Sequence, residues 1–200
     1  MSYSSLWVMN KNYEGSEAIE FSNSWCFTPV VLDILFEKYI PSAHLGKKKS
    51  FITESMFDET LFGRLNEKIN TSFFVEDRIL WELCNQQIFY TKDKDIVVKS
   101  IKEFLIINKH YCVDLGEHVY ERFDEISLEI SKLKESETPY FIFKNTSVDD
   151  GVEYWFNEYD EDGNLILKSL KGLGNLVAEF VVIEDNKITR FINNLDYFKL

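Results

Sequence analysis

Val119, Phe123, Ile126, Ile130 and Leu133 follow one another at steps of four, three, four and three residues, the spacing that lines one side of an α-helix with apolar side chains. A helix with one apolar stripe needs a surface to cover it, so this segment, expected to run from about Gly116 to Ser136, commits the chain to a packed core. Five stripe positions are too few for a sustained coiled coil, and the helix is expected to pack on the chain's own sheet or on the helix before it. That preceding helix is expected to start from a cap at Asp93 or Asp95 and to run to about Lys109, with Val97, Ile101, Phe104 and Leu105 inward.

The material for a core is present. In 200 residues there are 17 Phe, 10 Tyr and 4 Trp against only 8 Gly and 3 Pro, which excludes disordered, collagen-like and low-complexity chains. Toward the N-terminus, Ser4 to Asn10 has the composition of a short strand, and Asn12 to Ser24 reads as a polar, acidic connection holding Glu14, Glu17 and Glu20. Helices are expected from Pro29 to Tyr39, after a cap at Asp58 with Leu61, Phe62, Leu65 and Ile69 on one face, and from about Asp77 to Cys84. Short strands are expected at Phe51 to Thr53 and Gln87 to Thr91.

After Pro139 the composition turns to β-branched and aromatic residues. Tyr140 to Lys144, Val152 to Tyr159, Leu165 to Leu170, Val177 to Glu184 and Lys187 to Ile192 read as strands, with turn signals at Asp162-Gly163 and Asp185-Asn186. The resulting expectation is one α+β domain over residues 1–200, with a helical part over about 1–137 packed on an antiparallel β-meander over about 138–200.

Charge limits the function. With 22 basic and 34 acidic residues the net charge is -12, which repels nucleic-acid phosphates and anionic lipid headgroups alike. The run Lys47-Lys48-Lys49 is too short for a phosphate-binding footprint. No secretion signal or membrane span is apparent, and three widely spaced cysteines, Cys26, Cys84 and Cys112, suit reduced thiols. The expected location is the cytoplasm.

No motif specifies a chemistry. His110, Cys112, Asp114 and His118 are the only concentration of metal-ligand types, and their spacing matches no paired zinc motif. Lys171-Gly172-Leu173-Gly174 lacks the third glycine and the lysine of a phosphate loop. Glu158, Asp160, Asp162 and Gly163 resemble the first half of a calcium loop, but Ser169 stands where a bidentate glutamate is required. Neither metal nor cofactor is expected. Asp149, Asp150 and Glu153, just before Tyr154 and Trp155, form the best carboxylate group for a small metal-dependent hydrolase or nuclease, the alternative of another class.

What remains is an acidic surface. Glu117, Glu121, Glu125 and Glu129 repeat every four residues, with Asp124 adjacent, so carboxylates recur about every 6 Å along the helix. Together with Asp149, Asp150, Glu153, Glu158, Asp160 and Asp162 they make a candidate docking surface for a basic protein. In size and charge alone the chain resembles immunity proteins and antitoxins that occlude basic, nucleic-acid-acting enzymes. Phage or mobile-element proteins that block a host nuclease, some of them DNA mimics, are alike in the same respects.

Overall fold

The computed structural model describes residues 2–41, 59–112, 115–145 and 151–199. The expectations at Lys47-Lys48-Lys49, Phe51 to Thr53, Asp58, Asp114, Asp149 and Asp150 lie outside the described residues.

The chain opens with β1 (Tyr3–Met9) and β2 (Gly15–Ser22), an antiparallel pair in which Leu6 faces Ile19. Asn10 shapes the turn: its side-chain oxygen accepts the N–H groups of Asn12 and Glu14 at 2.8 and 3.2 Å. The acidic stretch read as a connection is therefore largely a strand. It forms the sheet edge, with Phe21 buried and Glu17 and Glu20 exposed, and charge on an edge strand discourages pairing with another chain.

Among the described residues, five helices follow with two further strands among them: α1 (Thr28–Tyr39), α2 (Glu59–Asn70), α3 (Val75–Cys84), β3 (Ile88–Tyr90), α4 (Lys94–Ile107), α5 (Glu117–Lys132) and β4 (Tyr140–Lys144). The inward residues expected of α4 are buried, Val97, Ile101, Phe104 and Leu105, as are Val119, Phe123, Ile126 and Ile130 of α5, while Leu133, the fifth member of the expected stripe, lies past the helix end and is half-buried. Asp93 does stand at the N-cap of α4, yet makes no side-chain hydrogen bond to it. Helix α5 ends at Lys132, short of Ser136, because Leu133 turns extended. The Lys94 ammonium then takes the carbonyls of Ser131 and Leu133 at 2.7 and 2.5 Å, which satisfies acceptors left open at a helix end and sets α4 antiparallel to α5.

The remainder comprises α6 (Gly151–Phe156), β5 (Asn157–Tyr159), β6 (Leu165–Leu167), β7 (Glu179–Glu184), β8 (Lys187–Asn193) and α7 (Asn194–Tyr197). These elements do not form a C-terminal meander. The six-stranded sheet runs β2-β1-β4-β3-β7-β8, so strands from both halves of the chain alternate in it, and β3 pairs with β7 in parallel. Helices and strands are interspersed along the sequence: the fold is α+β, but not a helical block followed by a sheet. The reason lies in β4. Phe141, Ile142 and Phe143 are all fully buried, which marks a central strand covered on both faces, and its neighbours are β1 and β3 instead of the strands next in sequence. Only β7 and β8 form the expected hairpin within the large sheet, around Asp185 and Asn186 at φ 50° and 59°.

Apolar residues cover both faces of this sheet. On one, Leu6, Val8, Phe141 and Phe143 meet the stripes of α1, α3, α4 and α5. On the other, Trp7, Met9, Ile142 and Phe180 meet Val152 and Phe156 of α6, Leu170 and Ala178, as the alternation of side chains along a strand requires.

Candidate docking surface

Residues 151–170 depart most from expectation. The segment read as one strand from Val152 to Tyr159 is helix α6 followed by the short β5, which pairs only with β6, in a separate two-stranded ribbon. The tip is built by Asp160, whose carboxylate accepts the N–H groups of Asp162 and Asn164 at 3.0 and 2.7 Å and the Asn164 amide at 3.0 Å. Those bonds, the Asn164 side chain first, hold the Asp160 carboxyl below its ordinary pKa. Gly163 supplies the left-handed residue the turn needs, at φ 81°.

The ribbon's base is fixed on the β1–β2 turn. Lys168 donates its N–H to Phe156, Leu170 donates to Tyr13, and the Ser169 hydroxyl donates to the Asn12 carbonyl, at 2.7, 2.9 and 2.7 Å. Phe156 is buried and stacks on Trp7 at 5.8 Å. It also lies against Gly15, where a Cβ would overlap its ring.

Beyond this base the ribbon is open to solvent. Asn157 pairs with Leu167, Glu158 with Ile166 and Tyr159 with Leu165, so Tyr159, Leu165 and Leu167 share one face and Glu158 and Ile166 the other. Tyr159 is 62% exposed, and Leu165, Ile166 and Leu167 are 51, 45 and 56% exposed; Tyr154 on α6 is exposed as well. A run of consecutive apolar residues left in water, rimmed by Glu161 and Asp162, is unusual for a surface without a partner. No family model, curated protein or solved structure matches the chain. The reading of this surface therefore rests on its own chemistry.

The other predicted acidic positions divide by environment. On α5, Glu117, Glu121 and Asp124 are exposed, with the exposed Tyr120 and Leu128 among them. Glu125 lies 3.2 Å from the mostly buried Arg122, and Glu129 lies 2.6 Å from Lys132, so two of the four ladder carboxylates already have cations. Glu158 pairs with Lys168 at 2.9 Å. Glu153 lies 3.4 Å from the buried Lys144 ammonium, which makes it a counter-charge within the fold. The α5 ladder and the α6–ribbon unit pack on opposite faces of the sheet and do not form one continuous face.

The Cys112 thiol donates to the carbonyls of Asn108 and Leu105 at 3.3 and 3.6 Å, and burial raises its pKa, which keeps it a thiol. Among the described residues no group of three or more His, Cys, Asp or Glu is placed to hold a metal ion, and no helix is long and apolar enough to cross a membrane.

The apolar residues of the ribbon escaped the sequence reading because a Leu-Ile-Leu run has the composition of a buried strand. The available signal was its position: only three residues long, directly after a polar turn and followed by Lys168 and Ser169.

Proposed function

We propose that this chain is a stoichiometric protein inhibitor, of the type of an immunity protein or antitoxin, which docks on a basic, nucleic-acid-acting enzyme through the β5–β6 ribbon. The observation that carries this reading is the exposed Tyr159, Leu165 and Leu167 face next to the exposed acidic turn of Glu161 and Asp162. Protein interfaces combine an apolar and aromatic centre with a polar rim in this way. The net charge of -12 selects a basic partner and speeds its capture. In this reading the free carboxylates of α5 steer the partner electrostatically, while the ribbon makes the contact. The site of action is the cytoplasm, where the three unpaired cysteines remain reduced.

The hydrolase alternative gains no support from Glu153, whose carboxylate is committed to Lys144. The test is capture from the native host at low and high salt, followed by assay of the captured enzyme with the purified chain. The reading expects one dominant basic enzyme, held at one-to-one stoichiometry, inhibited on binding and released more readily as salt rises. A captured protein whose activity is unaffected by the chain contradicts it.

A further inference from the structure

On the helical face of the sheet, away from the ribbon, α2, α3 and the strands β7 and β8 enclose a cleft of about 450 Å³. Phe62, Trp81 and Phe191 supply rings to its lining, and Glu82 and Glu179 supply carboxylates. The wall is held by polar contacts. The Trp81 indole N–H donates to Asn66 Oδ1 at 2.9 Å, and Gln87 Oε1 accepts the Glu179 backbone N–H at 2.6 Å.

Glu82 is the anomaly. It is only 4% exposed, yet no hydrogen bond or ion pair reaches its carboxyl among the described residues. Asp77, five residues earlier on the same helix and equally buried, has Lys38, Tyr39 and Asn108 as partners. An unpaired buried carboxylate is costly, and the group responds by holding its proton. Burial first, and then the Glu179 charge, push Glu82 up to about 8, while Arg78 acts weakly in the opposite direction.

We propose that the cleft is a binding site for a small organic cation, a guanidinium or alkylammonium group, whose charge is taken by Glu82 and Glu179 and whose alkyl part lies against Phe62, Trp81 and Phe191. With a neutral ligand Glu82 simply keeps its proton, whereas a cation draws that proton off and pairs with the carboxylate left behind. Aromatic faces attract organic cations. Calcium, by contrast, takes six to eight oxygen ligands, a demand that three ring walls oppose. Because burial raises Glu82 to about 8, so that it holds its proton at neutral pH, cation binding is coupled to proton release from that residue.

The experiment is calorimetric titration of the full chain at pH 7 with butylguanidinium, with its neutral isostere butylurea, and with calcium chloride, each in two buffers of different ionisation enthalpy. Saturable binding of butylguanidinium with proton release is expected, with butylurea at least about tenfold weaker. Glu82→Gln and Glu179→Gln are each expected to weaken butylguanidinium about tenfold or more. Glu82→Gln keeps the side-chain shape and is neutral like the protonated acid, so it is expected to fold, and the butylurea comparison needs no variant. Absence of saturation, equal binding of butylurea, preference for calcium, or undiminished binding in both variants would each overturn the proposal.

Discussion

The Lys38 ammonium lies 2.6 Å from the fully buried Asp77 carboxylate, tying α1 to α3 through the core. Tyr39 donates to the same carboxylate oxygen at 2.5 Å, and Asn108, the residue that ends α4, donates to the other at 2.9 Å. Three helices thus converge on one charge, and the Lys38 ammonium also sits 3.9 Å above the centre of the Phe74 ring. Removing one member of such a group strands the others. Asp77→Ala is expected to lower stability by about 3 to 5 kcal/mol in urea denaturation. A loss below about 1 kcal/mol would show that water replaces the carboxylate with little penalty.

Glu82 makes stability depend on pH. Its native pKa of about 8 lies above the ordinary 4.5, so the native state binds this proton more tightly than the unfolded chain does. Its contribution to stability is complete below about pH 4.5 and is lost as pH rises toward 8. Glu82→Gln cannot ionise. It is expected to match the wild type near pH 4 and to exceed it above pH 8 by on the order of a few kcal/mol, reduced by solvent in the cleft. Parallel stability curves for the two proteins over this range would contradict the assignment.

Along α5, two reversals of charge that look equivalent in sequence are expected to differ. Glu121 is exposed with no ion pair among the described residues, so Glu121→Lys relieves like-charge repulsion and changes stability by a few tenths of a kcal/mol at most. Glu125 faces Arg122, which is largely buried and lies over the Phe21 ring. Glu125→Lys places two cations together and is expected to lower stability by about 0.5 to 1 kcal/mol in chemical denaturation. Equal effects of the two reversals would mean that Arg122 does not depend on its partner.

Gly15 links the fold to the proposed interface. Gly15→Ala forces a methyl group against Phe156, and overpacking of this kind costs about 1 to 3 kcal/mol. The ribbon, anchored beside Phe156, is expected to gain faster amide hydrogen exchange at Lys168 and Leu170, whose N–H groups fasten it to Phe156 and Tyr13.

Local pattern made the longer helices legible, though not α6, whose Val152 to Phe156 read as strand. The stripes of α4 and α5 are set by residues three and four apart, and Val97, Ile101, Phe123 and Ile126 are buried as their spacing requires. Strand order was not legible, because it depends on which distant segments pair. Phe141 to Phe143 reads the same whether its neighbours are β1 and β3 or the next strands in sequence. In β2, Glu17 and Glu20 masked the alternation that Ile19 and Phe21 carry at the edge. Acidic positions could be picked out of the sequence, but not their partners: Lys144 lies nine residues before Glu153, and nothing in the composition shows that it is buried. Glu82 was hidden for the same reason, as one of four charged residues in α3, its cleft completed by β7 and β8.

The most direct measurement is the affinity of the Leu165→Ser, Leu167→Ser double variant for the captured basic enzyme, taken with its melting temperature. Both residues are exposed on one face of the ribbon, so stability is expected to stay within about 0.5 kcal/mol of the wild type. If the ribbon is the centre of the interface, affinity falls at least about 100-fold and inhibition is lost at equimolar concentration. Unchanged affinity in a folded double variant would contradict docking through the ribbon.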